Sequence, residues 1–340
     1  MSKVDIKISK DCDITQLKGV NYKDFKGHND ISKIVAKEFL KAKNKKFIKK
    51  CRICGSSKIK LIAKVMGAAF MQCTKCTHVF NKYTYKYEFL TNFWKKKGNV
   101  INVHSHAGQQ KYRPKHLSAP KVDFILKNFK KKKNLNWLDM ACGNGEFLTQ
   151  VKKKGVNAFG FDLNANDVKL ARKKGLNVLR KDMTKFCDYA VSNKIKIDFA
   201  SATGYFDMVS DPNYELRTFN KIMNKGGLLM VDLPNFNSVC HDMIRYFPNQ
   251  SIRHLNATQT SSYTYKSLSL LLRRNGYKII KRWAYGIDFY MIMNVLNQYN
   301  KDFFKSNAMK VMTKNFTKFQ NIFDEDIEAA DTLFVVAKKL

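Results

Sequence analysis

The chain has 340 residues, of which 44% are hydrophobic; this excludes a disordered protein and leaves room for more than one domain. Residues 1–13 lack a leader's apolar core, and no apolar run reaches the roughly 20 residues of a membrane span, so a soluble, cytoplasmic protein is expected. The net charge of +36 admits a polyanionic partner such as RNA through counterion release, yet the basic residues are overwhelmingly Lys spread along the chain, which favours compositional bias.

Residues 1–50 form a basic N-terminal segment with one amphipathic helix over 30–43, where Ile31, Ile34, Val35, Phe39 and Leu40 share a face. Residues 51–80 carry two Cys-x-x-Cys pairs, Cys51 with Cys54 and Cys73 with Cys76. Four thiolates on two knuckles suit a tetrahedral, structural zinc and leave no open position for a catalytic water. Gly55 follows the first knuckle, where a turn donating N–H groups to sulfur is eased by the missing Cβ; Thr77 holds the matching place in the second. His78 competes as a ligand, but Cys76 completes the set more simply. The remaining cysteines, Cys12, Cys142, Cys187 and Cys240, share no spacing, and without an export signal disulfides are the less expected use.

Residues 81–134 predict a helical linker or cap, with an aromatic-rich stretch over 83–94, then His104, His106 and His116, then helical spacing over 122–129. From 135 to 340, short apolar runs alternate with amphipathic stretches. Strands are expected at 135–140, 158–162, 177–179, 196–201, 228–233, 277–283 and 332–337, with a helical insertion over about 287–327. This pattern argues for a parallel sheet with helices packed on it.

The first of these strands runs into Asp139-Met140-Ala141-Cys142-Gly143-Asn144-Gly145 and then a helix. A Gly-rich turn there lets the backbone approach a ligand and aims helix N-terminal amides at it. Asp162, followed by Leu163, closes the second strand, where a carboxylate can accept from both hydroxyls of a ribose. A third acid, Asp182, precedes Met183 after the third strand. A dinucleotide is disfavoured, because the third Gly of G-x-G-x-x-G is absent.

On these residues the chain resembles the class I S-adenosylmethionine (SAM)-dependent methyltransferases, over roughly residues 136–340. That family places an acid and G-x-G-x-G after its first strand, and Asp139, Ala141, Gly143 and Gly145 occupy those places, with Ala141 for the first Gly. The resemblance implies a Rossmann-like α/β fold, a seven-stranded mostly parallel sheet with its last strand antiparallel. It further implies that Asp139 and the loop Ala141, Cys142, Gly143, Asn144 and Gly145 hold the methionine part of SAM. Asp162 and Leu163 would take the ribose, Asp182 the adenine amino group, and the Met183 amide would face the ring. The chain is most similar to bacterial members with an N-terminal zinc ribbon that modify sugars, glycan precursors or other small molecules. Shared features are the Cys-x-x-Cys-Gly knuckle, Asp211-Pro212, and Tyr263-Thr264 opening a helix that ends in Asn275-Gly276-Tyr277. Where many of those proteins carry Glu-His, this chain has Asp207-Met208, so no catalytic histidine is carried over from that loop.

An oxygen acceptor needs a base, and His suits neutral pH. His254 is the first candidate and His241 the second, with no catalytic residue assigned between them. Tyr205, Asp207, Asn235 and Asn237 are expected near the pocket by position. Two other functions compete with the small-molecule enzyme. An RNA methyltransferase would use the basic surface and dock through the ribbon, but Ser201-Ala202-Thr203-Gly204 lacks the Asn/Asp-Pro-Pro-aromatic motif for exocyclic base nitrogens. A non-enzymatic SAM-binding module is disfavoured because all three acids are present.

Overall fold

Apolar runs become the central strands of one large sheet, because both its faces are covered and such strands need apolar side chains on each side. The computed structural model describes residues 4–9, 25–43, 45–101, 112–127, 129, 134–243, 246–247, 255, 257–300 and 302–340. In chain order the elements are β1 (Asp5–Ile8), α1 (Phe25–Lys41), β2 (Lys46–Phe47), β3 (Ile59–Val65), β4 (Ala68–Cys73), β5 (Val79–Asn81), β6 (Tyr83–Thr84) and α2 (Tyr87–Ile101). A π-helical turn (Pro114–Ser118) leads into α3 (Ala119–Leu126). Then come β7 (Asn136–Met140), α4 (Glu146–Lys153), β8 (Asn157–Phe161), α5 (Ala165–Lys173), β9 (Asn177–Leu179), α6 (Met183–Ser192) and β10 (Ile197–Thr203). They are followed by α7 (Pro212–Phe219), β11 (Met223–Pro234), α8 (Val239–Asp242), β12 (Ser261–Ser262), α9 (Tyr265–Arg274) and β13 (Tyr277–Ala284). The last elements are α10 (Asp288–Tyr299), α11 (Asn307–Lys314), α12 (Phe316–Glu325) and β14 (Thr332–Lys339).

The large sheet has the order β1-β13-β14-β11-β10-β7-β8-β9. Only β14 runs against its neighbours, β11 and β13; the remaining pairs are parallel. This is the expected Rossmann-like α/β arrangement with one correction: the sheet has eight strands, not seven. The eighth is β1, which pairs with β13 from Asp5 opposite Lys281 to Ile8 opposite Ala284. Ile6 and Ile8 are exposed, so the strand carries no buried apolar face. Trp283 Nε1 donating to the Ser9 carbonyl at 2.7 Å helps to hold it at the edge.

On one face α3 and α4 bring Val122, Phe124, Phe147 and Val151 against Trp137, Phe199 and Phe334. On the other, Phe186, Leu216, Leu268 and Leu271 from α6, α7 and α9 cover Leu138, Met140 and Ala200. That second core continues into Ile53, Met71 and the cysteines of a smaller antiparallel sheet, β12-β5-β4-β3. Its outer strand β12 comes from the later part of the chain, pairing Ser261 with Phe80. The stretch over 83–94 divides: Tyr83–Thr84 pairs with β2 and the helix starts only at Tyr87. The insertion forms α10 to α12 and packs Phe289 and Phe316 into a third core with Phe39, Tyr85 and Phe93. Among the described residues no helix is long and apolar enough to cross a membrane.

Candidate functional site

The turn between β7 and α4 is left-handed at three alternate residues, with φ of 49° at Ala141, 53° at Gly143 and 76° at Gly145. At Gly145 a Cβ would stand 2.3 Å from Leu176 Cδ1 and 3.2 Å from Ala171 Cβ, so glycine is required there by packing as well as by φ. At Gly143 a Cβ would meet nothing within 4 Å. The backbone of the turn therefore faces open space, as a ligand cradle must. Ala141 accepts the left-handed conformation at a cost of roughly 1 kcal/mol.

Asp162 ties this turn to the end of β8. Gly143 N donates to its Oδ2 at 2.9 Å and Asn164 N to its Oδ1 at 2.8 Å. Burial pushes this carboxyl above its ordinary value, while those N–H groups oppose the rise. Each oxygen keeps a further lone pair for a ligand hydroxyl. Asp139 lies beneath the turn, buried, and accepts from Ser201 Oγ at 2.5 Å; Ser201 in turn accepts from Trp137 Nε1 at 3.0 Å. Burial drives the Asp139 carboxyl up to about 7, against the Ser201 hydrogen bond that favours its charge. An acid held at that point gains a full charge when a cationic ligand group arrives.

Of the other expected cofactor residues, Cys142 and Asn144 belong to this turn, Leu163 follows β8, and Asp182 and Met183 follow β9. Cys142 N donates to the Phe161 carbonyl at 3.0 Å, and Lys174 Nζ holds Asn144 through its carbonyl at 2.8 Å and its Oδ1 at 3.2 Å. Asp182 caps α6, its Oδ1 accepting from Lys185 N at 2.8 Å. Burial first, and then the nearby Asp182 carboxylate, push the Tyr87 phenol up. Met183, next to Asp182 in the chain, is buried, and Leu163, next to Asp162, is half-buried.

Glu146, the first residue of α4, accepts from Arg113 Nε at 3.1 Å and from Ser118 Oγ at 2.7 Å. The intervening π-helical turn places residues five apart on one side, so both donors converge on one carboxylate. Lys121 on α3 then pairs with Asp232 of β11, and Tyr285 Oη donates to the same carboxylate at 2.9 Å. These residues were not anticipated from sequence. The available signal was a lone acid, Asp232, inside the apolar run over 228–233.

The candidate histidines are less informative. His254, His104 and His106 lie outside the described residues. His241 is buried, 2.9 Å from Ser238 Oγ through Nδ1, and His116 stacks on Tyr112 at 4.1 Å. Asp207 and Asn235 are buried in loop-holding bonds: Gln259 Nε2 donates to Asp207 at 3.1 Å, and Asn235 Nδ2 to the Glu328 and Ala330 carbonyls at 2.7 and 2.9 Å. Tyr205 Oη donates to Glu215 at 2.8 Å, and burial lifts the Glu215 carboxyl to about 7 despite that bond.

The four paired cysteines converge as well. All four sulfurs lie within 4.8 Å of one another, with Cys51 to Cys76 and Cys54 to Cys73 at 3.5 Å. Tetrahedral zinc with bonds of about 2.3 Å sets sulfurs about 3.8 Å apart, so this donor set fits. The two knuckles match: Gly55 N donates to the Cys51 carbonyl at 2.8 Å and Thr77 N to the Cys73 carbonyl at 2.9 Å. Gly55 and Thr77 are both left-handed, at φ 77° and 62°. His78 stays out of the cluster, stacked 5.7 Å from Phe80.

An acid-flanked glycine turn at the carboxyl ends of parallel strands, with a second acid closing the next strand, defines a Rossmann-like nucleoside-binding domain of the class I methyltransferase type. Residues 109–282 match the methyltransferase domain family, and the chain belongs to that family. Among solved structures it is similar to magnesium protoporphyrin IX methyltransferase from Synechocystis PCC 6803 with bound SAH. There the TM-score is 0.51 and the identity 9%, over 75% of this chain and 100% of that one, which establishes the shared fold. A SAM-dependent methyltransferase from Archaeoglobus fulgidus aligns with TM-score 0.44 and 15% identity, over 75% of this chain and 100% of that one. The type II methyltransferase M.VspI of Vibrio sp. (strain 343) is 30% identical over 95 residues, 27% of this chain and 21% of that protein. The chain thus matches about a fifth of that relative's length.

Proposed function

We propose that this chain transfers the methyl group of SAM to a small molecule, a sugar or glycan precursor, and that Cys51, Cys54, Cys73 and Cys76 hold a structural zinc. The observation that carries the cofactor reading is Asp162, clasped by the Gly143 and Asn164 amides with lone pairs left for two ribose hydroxyls. SAM supplies an electrophilic methyl on a sulfonium. Asp139 and the turn from Ala141 through Cys142, Gly143 and Asn144 to Gly145 would hold its methionine end. Leu163 would flank the ribose, and Asp182 with the Met183 amide would receive the adenine.

The small-molecule reading rests on resemblance and on how the loop after β10 is held. Thr260 N and Ser261 N donate to the Asp207 carbonyl at 2.9 and 3.1 Å, and Tyr263 Oη to the Phe206 carbonyl at 3.0 Å. A loop bonded on that side supports a shaped pocket over an open groove for a polymer. Fixing an acceptor in line with the sulfonium supplies much of the acceleration.

The test is transfer of tritiated methyl from SAM to nucleoside-diphosphate sugars, free hexoses and structured RNA. The proposal expects label in the sugar fraction. Label in RNA alone would replace it with the nucleic-acid reading.

A further inference from the structure

We propose that Asp232 takes the proton of the methyl acceptor, with Lys121 and Tyr285 as its positioning residues. This rests on the methyltransferase reading above and names the base it leaves unassigned.

Asp232 stands near the end of β11, where Leu228, Leu229, Met230, Val231 and Leu233 are all buried apolar residues. A carboxylate there must have partners, and both reach the same oxygen. Lys121 Nζ forms an ion pair with Oδ2, and Tyr285 Oη donates to Oδ2 at 2.9 Å. Among the described residues Oδ1 has no hydrogen-bond partner, and it is not among the buried, unbonded polar atoms. Oδ2 is thus held by two donors, while Oδ1 keeps its lone pairs for a further bond.

Strand register places this carboxylate. Ser201 pairs with both Asp139 and Met230, and Thr203 pairs with Asp232. Side chains two apart on a strand share a face, so Asp232 lies on the face of Asp139 and Ser201, one row nearer the strand ends. Ser201 is fully buried, whereas Thr203 is exposed, as is Ala141 on the cofactor turn. On the β10 and β7 side, the row of Asp232 therefore borders the exposed turn expected to hold the methionine end of SAM. A buried ion pair is weak support for stability beside an apolar replacement. Its placement at this rim is accounted for by chemistry.

The step balances as a displacement. The acceptor oxygen forms its bond to the methyl carbon while the carbon–sulfur bond breaks, and that electron pair leaves on sulfur as a neutral thioether. The acceptor's hydroxyl proton passes to Asp232 Oδ1. Lys121 and Tyr285 keep that oxygen aimed, and neither needs to touch the acceptor.

Two measurements test this without a known acceptor. In a crystal structure of the full chain with SAM, Oδ1 should lie within about 6 Å of the methyl carbon, because an acceptor atom between them stands about 3 Å from each. A separation beyond about 8 Å, or another side chain between the two, overturns the proposal. In calorimetry, Asp232→Asn should bind SAM within about twofold of wild type; a tenfold loss would place Asp232 in the cofactor site and overturn it. If wild type binds no SAM, the methyltransferase reading fails instead. For the positioning role, crystal structures with SAM should show the Asp232 carboxylate turned away from the methyl carbon in Lys121→Met and restored in Lys121→Arg. A carboxylate unmoved in Lys121→Met refutes that role.

Discussion

Replacing Asp139 by asparagine should stabilise the cofactor-free protein above neutral pH while weakening SAM binding. Burial raises the Asp139 carboxyl from 3.8 to about 7. At about 1.36 kcal/mol for each tenfold change, ionising it in the folded chain costs about 4 kcal/mol more than in the unfolded one. Between those two values the folded state holds a proton that the unfolded state has lost, so stability falls as pH rises through the window. From pH 5 to 7 the wild type should lose about 2–3 kcal/mol through this group. The amide in Asp139→Asn has no proton to lose, and its oxygen can still accept from Ser201. Glu215, also lifted to about 7, contributes its own slope to both proteins, so the difference between them isolates Asp139. Urea unfolding at pH 5, 6, 7 and 8 measures it. Calorimetry at pH 8 should then show SAM bound about 10- to 100-fold more weakly by Asp139→Asn, the loss of one charged hydrogen bond. Parallel stability curves for the two proteins, or unchanged SAM affinity, would refute the reasoning.

Three further outcomes are expected. Ala141→Gly should raise the unfolding free energy by up to about 1 kcal/mol, since φ of 49° strains alanine and suits glycine; a loss of more than about 0.5 kcal/mol in urea titration would contradict this. Elemental analysis should find one zinc per chain, released by Cys51→Ser. Because Ile53, Met71 and Cys73 share a core with Tyr263 and Leu268, the melting transition of the whole chain should fall, and an unchanged transition would show that the cysteine sheet contributes nothing to it. Filter binding of structured RNA should be weak and vanish near physiological salt; tight, selective binding there would favour the RNA enzyme.

The parts legible from sequence are those whose signal is local. Apolar runs of strand length at 135–140 and 228–233 announce central strands, because burial on both faces removes the polar alternation. The glycine turn and the clustering of the paired cysteines were legible because close backbone approach and a four-sulfur cluster tolerate few residue types. What depended on distant partners was not. Asp5, Ile6, Lys7 and Ile8 form the eighth strand through pairing with β13, and nothing in four half-exposed residues reveals a partner so far along the chain. Likewise β12 completes the cysteine sheet from beyond β11. Lys121 of α3, Asp232 of β11 and Tyr285 just after β13 meet only once the sheet and α3 are packed. His254 and His241 drew attention by residue type, whereas a carboxylate with one anchored oxygen is visible only in three dimensions.

The most direct test of the account is calorimetric titration of the full chain with SAM, wild type beside Asp162→Ala. The account predicts micromolar-range binding at one site for wild type, and a loss of about tenfold or more in the variant, whose bidentate hydrogen bonds to ribose and to the Gly143 turn are gone. Well-folded wild type that takes up no SAM would contradict it.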